Sequence, residues 1–143
     1  MTKHEAQRVN LSANFTLWEF LKSDQAEKNG LMEKQLQIPT DKVVNLAELC
    51  NNVLQPVRNK YRIPITILSG YRCEELNAIT EGSSSTSDHP KGKAADITCN
   101  MLSLVVSYIR DYLDFDQLIY YRDRNFAHVS YRKIGNRKQV IYR

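Results

Sequence analysis

Ser87-Asp88-His89-Pro90-Lys91-Gly92-Lys93-Ala94-Ala95-Asp96-Ile97-Thr98 decides how this chain is read. A polar stretch, Gly82 to Ser87, leads into His89, and Pro90 to Gly92 supply a turn. Ala94 to Thr98 then reads as a strand carrying Asp96. Far along the chain, Phe126 to Arg132 reads as another strand and carries His128. Neighbouring strands let side chains distant in sequence converge. The small residues Gly92, Ala94 and Ala95 leave room for an ion and a substrate beside the backbone. Two histidines and a carboxylate make the donor set of a catalytic zinc ion, which takes three protein ligands and keeps a fourth position open. Spacing alone leaves a second reading standing, in which His89 is a loop residue, Asp96 a turn residue and His128 a core histidine.

The segments around this stretch predict an α+β order. Thr16-Leu17-Trp18-Glu19 is a capping box opening a short helix that ends near Lys22. Ser23 caps a further turn, which Gly30 stops. Thr40 is expected to cap the longest helix, Asp41 to about Lys60, with Val43, Val44, Ala47, Cys50, Val53, Leu54 and Val57 as its apolar face. Pro56 lies inside that pattern and should bend or divide the helix. Pro64 to Leu68 reads as a strand and Arg72 to Ala78 as a short helix. Asn100 is expected to cap a helix reaching about Leu113. Asp116 to Tyr121, Phe126 to Arg132 and Lys138 to Tyr142 are expected to close the fold as antiparallel strands.

Four ordered motifs carry a family likeness. They are Ser69-Gly70-Tyr71-Arg72, Ser87-x-His89-x-x-Gly92-x-Ala94-Ala95-Asp96, Phe115-Asp116-Gln117-Leu118-Ile119 and His128-Val129-Ser130-Tyr131. Together they resemble the zinc D-alanyl-D-alanine carboxypeptidases, peptidoglycan peptidases of the hedgehog/DD-peptidase-like fold. The likeness is greatest to small members from bacteriophages and mobile elements. Leu11 to Phe20, Asn52 to Arg58 and Asn136 to Val140 extend it, so it covers the chain from about Leu11 onward. The resemblance implies a central antiparallel sheet with helices packed on one face. It implies one zinc ion held by His89, Asp96 and His128, and a peptidoglycan stem or crosslink peptide as substrate. Arg72 takes the family's arginine position, where a planar guanidinium suits a substrate carboxylate or a developing oxyanion. The competing structural role for Arg72 is to pair with Glu74 or Glu75. Ser87 borders the expected substrate pocket, and Asp116 and Ser87 are expected to orient loops rather than react.

One departure from the family matters. Relatives carry a glutamate shortly before the last histidine, where it moves protons to and from the attacking water. That position reads Tyr121 here, and no glutamate follows Glu81. A phenol, which ordinarily titrates near about 10, is a poor base at neutral pH. Asp123 is the nearest carboxylate, five residues before His128, and a hairpin that swings it toward the metal would make it the acid-base residue, with Tyr121 as an oxyanion donor.

Composition bounds the remaining choices. The 143 residues predict a single domain, 1–143, with a polar N-terminal tail over 1–10. That tail has no secretory signature, so the protein is expected either to work inside its cell of origin or to reach the wall by lysis, holin release or virion delivery. No apolar run nears the ~20 residues of a membrane span. Cys50, Cys73 and Cys99 do not make a disulfide framework; Cys50 reads as core, and Cys99, just past the Asp96 strand, as a candidate near the metal. The net charge is +4, with basic residues thickening after Tyr121, but no nucleic-acid motif accompanies them. Three functions follow in order: a zinc peptidase of the cell wall, a weakened relative that binds zinc and wall peptide, and an interaction module of a phage particle.

Overall fold

The computed structural model describes all 143 residues, Met1–Arg143. In chain order the elements are α1 (Lys3–Gln7), β1 (Asn10–Ser12), β2 (Phe15–Thr16), α2 (Leu17–Leu21), α3 (Asp24–Lys28), α4 (Met32–Leu36), α5 (Thr40–Leu49), α6 (Gln55–Tyr61), β3 (Thr66–Ser69), α7 (Glu74–Ile79), β4 (Ala94–Thr98), α8 (Leu102–Tyr112), β5 (Gln117–Tyr121), β6 (Phe126–Ser130) and β7 (Gln139–Tyr142). The protein is thus α+β. Its main sheet has five strands in the order β3-β4-β6-β5-β7.

Local chemistry explains most boundaries. Glu19 accepts a hydrogen bond from the Thr16 backbone at 2.7 Å and opens α2. Ser23 accepts from Ala26 N at 3.1 Å and opens α3. Between α5 and α6 the expected single helix widens into a π-helical turn, Cys50–Leu54, immediately before Pro56. A proline has no N–H to give the preceding turn, and the wider turn takes up that mismatch. The buried face of this rod is Leu46, Leu49, Cys50, Val53, Leu54 and Val57; Val44 points to solvent.

The polar first ten residues carry α1, which Thr2 caps, and bury Ala6. Three expectations are corrected. Thr40 is the first helical residue of α5 rather than its cap, which is Pro39, a residue with fixed φ and no N–H to leave unpaired. Asn100 does not cap α8; Met101 does, with φ of 61°. Finally β7 runs parallel to β5, Leu118 facing Val140, while the other pairs of the main sheet are antiparallel. The chain between β6 and β7 returns along the sheet before pairing, so β7 follows β5 in direction.

Strand alternation assigns the two faces of the sheet. Ala95 and Ile97 of β4, Ala127 and Val129 of β6 and Leu118 of β5 join Val105, Val106 and Ile109 of α8 in one hydrophobic core. Truncating such a residue, Ile97→Ala for instance, costs about 2–5 kcal/mol. The intervening residues face the other way. Asp96 and His128 are direct cross-strand partners, as are Ile119 and His128, so the three share the face opposite the core.

Candidate metal centre and cleft

That open face holds a cleft of about 820 Å³, lined mainly by polar side chains. His89, Asp96 and His128 meet in it, each offering one ligand atom within 4.8 Å of the others. Asp96 and His128 come from the centre of the sheet. His89 comes from a 3-10 turn, His89–Lys91, that ends at Gly92 with φ of 70°. Only glycine fits there, since a Cβ would lie 2.5 Å from Lys42 O.

The histidine ring of the turn is locked. His89 Nδ1 lies 2.6 Å from Gly70 O, and a carbonyl only accepts, so Nδ1 carries the proton. Nε2 is left with its lone pair, 3.4 Å from Asp96 Oδ1. His128 presents Nδ1 to the same oxygen at 3.0 Å. Metal bonds of about 2.0–2.2 Å in a tetrahedron put neighbouring ligand atoms about 3.3–3.6 Å apart. The 3.4 Å spacing lies in that range, and the 3.0 Å spacing falls a little below it. The donor set fits zinc, with both Asp96 spacings at or near the tetrahedral edge and the two histidines within 4.8 Å of each other. Burial pushes the Asp96 carboxyl up, but His128 and His89 more than offset this and hold it well below the usual carboxylate range. It is ionised, as a ligand must be.

Arg72 lines the same cleft and is nine-tenths buried. It pairs with neither Glu74 nor Glu75. Nη2 donates to Asp96 Oδ2 at 3.4 Å, Nη1 to Asn77 Oδ1 at 3.1 Å and Nε to Ser69 Oγ at 3.0 Å. A guanidinium has five N–H donors, so about two remain for a substrate. Burial draws its pKa down, and Asp96 partly restores it. Ser87 also lines the cleft and accepts from His89 N at 3.2 Å, which fixes the entry to the turn.

Asp123 does not reach this site. It is exposed, lies in a 3-10 turn, Arg122–Arg124, and is absent from the cleft lining. The β5–β6 hairpin closes at the pair Tyr121 and Phe126, and Asn125 turns the chain with φ of 53°. Arg124 is the residue of that turn that faces the cleft, beside Tyr121. Cys99 is likewise outside the ligand group and packs against the core. Asp88 and Asp96 are held in ion pairs, which leaves Glu81 as the one unpaired carboxylate lining the cleft.

Three positioning groups escaped the sequence reading. Gln35 is fully buried: Nε2 donates to Leu21 O at 2.9 Å and Tyr71 O at 3.0 Å, and Oε1 accepts from Cys73 N at 2.7 Å. It thereby pins the backbone on both sides of Arg72. Asn77 accepts from Arg72 and donates to Ser84 O at 3.1 Å, tying the arginine to the serine-rich loop. Arg132 bridges Asp88 Oδ1 at 2.9 Å and Asp116 Oδ2 at 3.3 Å. Arg137 joins Asp116 at 2.8 Å, which holds the Asp116 carboxyl down at about 2 against the effect of burial. No sequence pattern marks Gln35 or Asn77, each a polar residue on a short helix.

Residues 13–130 match the family described as Peptidase M15. The chain matches none of the curated proteins.

Proposed function

This chain belongs to the peptidase M15 family, and we propose that it acts as a single domain hydrolysing peptidoglycan stem or crosslink peptides, as a D-Ala-D-Ala carboxypeptidase or endopeptidase. His89, Asp96 and His128 would hold one zinc ion. Bound there, zinc supplies Lewis acidity, polarising a peptide carbonyl and lowering the pKa of water toward about 7. Arg72 offers its free N–H donors to a substrate carboxylate or to the oxygen on which charge develops. Ser87 keeps its own hydroxyl proton for a substrate acceptor while its oxygen holds the His89 turn. Tyr121 lines the cleft with its ring stacked on Phe126. The cleft is large enough for several residues of peptide, being within the range of about 300–1,000 Å³ usual for ligand sites.

The observation that supports this reading is the meeting of the three donors and Arg72 in one open cleft. Digestion of purified peptidoglycan by zinc-loaded protein, with mass analysis of the released peptides, tests it. Release of D-alanine or of defined stem fragments is expected. Intact peptidoglycan after prolonged incubation, with zinc bound, would refute it. One observation favours a weakened relative instead: Tyr121 stands at the family's glutamate position and Asp123 is outside the cleft. Losing a general base costs about 10²–10⁴ in rate. Tight binding of wall peptide with turnover reduced by that factor is what the second reading expects.

A further inference from the structure

Six cationic side chains line the cleft: Arg72, Lys91, Arg124, Arg132, Arg137 and Arg143. Carboxylates answer most of the inner ones. Arg72 pairs with Asp96, Lys91 and Arg132 with Asp88, and Arg137 with Asp116. Arg124 and Arg143 have no carboxylate partner, and of the two only Arg124 lies over aromatic rings. Its guanidinium carbon lies 5.1 Å from the centre of the Phe126 ring and 5.9 Å from that of Tyr121. Those two rings stack on each other at 4.4 Å and 11°. Aromatic contact steadies a guanidinium while leaving its N–H groups free to donate.

The position of Arg124 gives this free cation a meaning. Arg72 follows β3, at one side of the main sheet, and Arg124 sits in the β5–β6 hairpin toward the other. Asp96 and His128, on β4 and β6, lie between them in strand order. A peptide laid across these strands over the three donors would run from the Arg72 side of the cleft toward the hairpin that carries Arg124.

We propose that Arg124 recognises a second carboxylate of the substrate, making the preferred substrate an acidic peptide with a free carboxylate some residues from the scissile bond. The inference rests on the peptidase reading above. In a stem peptide that group is the α-carboxylate of D-isoglutamate, which amidation to D-isoglutamine removes. Charge-assisted bonds outweigh neutral ones, so amidation should weaken recognition rather than abolish it.

The test uses zinc-loaded protein and two synthetic pentapeptides, L-Ala-D-isoglutamyl-L-Lys-D-Ala-D-Ala and its D-isoglutamine counterpart. Kinetics give kcat and KM, and calorimetry gives Kd. Amidation is expected to raise KM and Kd about 10-fold, with kcat little altered, as for one lost bond to a charged group. The preference should shrink in 0.5 M salt, where the Debye length falls to roughly 4 Å. In Arg124→Gln it should collapse to near unity, and Arg124→Lys should restore part of it. Equal handling of both peptides by the wild type, or a preference that survives Arg124→Gln, overturns the proposal. A single-stranded oligonucleotide that competes as well as the acidic peptide also overturns it, since the patch is then a general polyanion surface. Failure to cleave either peptide defeats the peptidase reading alone, because the calorimetric preference still decides the role of Arg124. Binding of neither peptide defeats both.

Discussion

Gly70→Ala separates packing from metal positioning. The Gly70 carbonyl is what fixes the His89 ring, at 2.6 Å from Nδ1. The same residue is pressed against α2: a Cβ would meet Phe20 Cα and Cβ at 2.7 Å and Cδ1 at 2.8 Å. Ordinary carbon contacts begin near 3.4 Å, so backbone must retreat from backbone by several tenths of an ångström. Trimming the Phe20 ring cannot relieve this, because two of the three clashing atoms are Cα and Cβ. Overpacking of this kind costs about 1–3 kcal/mol of stability. A carbonyl displaced by that much also loosens the His89 ring, and losing such an outer partner lowers metal affinity about 10–100-fold. Thermal melts of metal-free protein read the first effect. Competition for zinc against a chromophoric chelator reads the second. The expected result is a lower melting temperature and a weaker zinc Kd together. A lower melting temperature with unchanged zinc affinity would refute the orienting role of Gly70, and no change in either would refute the contact geometry.

Arg72→Lys should lose most peptidase activity while retaining zinc, because one ammonium cannot serve Ser69, Asn77, Asp96 and a substrate at once; turnover like the wild type would assign Arg72 to structure alone. Asp123→Asn should leave activity and zinc content unchanged, since Asp123 lies outside the cleft; a loss of about 100-fold or more in kcat, the lower end of an acid-base contribution, would return it to the mechanism. Tyr121→Glu should raise kcat, and more so with Arg124→Gln, because a neighbouring guanidinium depresses a carboxyl by about 1–3 pKa units and weakens it as a base; a double variant no faster than the parent would show that proton transfer does not limit the rate. Asp116→Asn should destabilise the protein at pH 7. The folded Asp116 carboxyl sits at about 2, below its unfolded value, so its stabilisation is full above about pH 4 and lost as pH falls toward 2. The neutral-pH loss should be about 1–2 kcal/mol after discounting for the exposed Arg137 partner, measured by urea unfolding. A loss that persists undiminished at pH 2 would contradict the ion-pair origin.

The strand Ala94 to Thr98 was legible to the residue because its alternation and its bounding turn are both local. The capping box at Thr16 was legible for the same reason. Helices whose caps are not side chains were less so: Pro39 and Met101 start α5 and α8 by backbone conformation, and Thr40 and Asn100 beside them were decoys. The parallel pairing of β7 is set by the path of the chain after β6, which no local pattern encodes. At the site, His89, Asp96, His128 and Arg72 stood out because they have the chemistry of ligands and anion binders, whereas Arg124, Arg132 and Arg137 looked like ordinary surface cations. Gln35 and Asn77 did not stand out either, because an amide on a short polar helix looks like surface until tertiary packing surrounds it. Asp123 shows the opposite error. Sequence distance to His128 made it a candidate, but a turn projects its residues outward in ways that spacing does not reveal.

The cleft resolves into two electrostatic halves with different consequences. Around Asp96 charge is closely balanced: one carboxylate meets Arg72 through Oδ2 and both histidines through Oδ1. An ion entering there brings positive charge into a site that already holds a buried guanidinium. Such a site would tolerate an ion because Asp96 is ionised and because Asn77 and Ser69 share the Arg72 guanidinium. Across the trio, toward the β5–β6 hairpin, no carboxylate pairs with Arg124, which lies over the stacked rings of Tyr121 and Phe126. A glutamate at Tyr121 would be drawn to Arg124 and partly quenched as a base. Compared with a glutamate, the tyrosine leaves that cation available, and Glu81 is then the one unpaired carboxylate in the cleft. Under the proposed function substrate charge and proton transfer would then be coupled: a tyrosine rather than a glutamate here would cost proton transfer and strengthen the attraction for an acidic peptide. If tighter binding accompanies slower turnover in the natural protein, and Tyr121→Glu reverses both, the two effects share this origin.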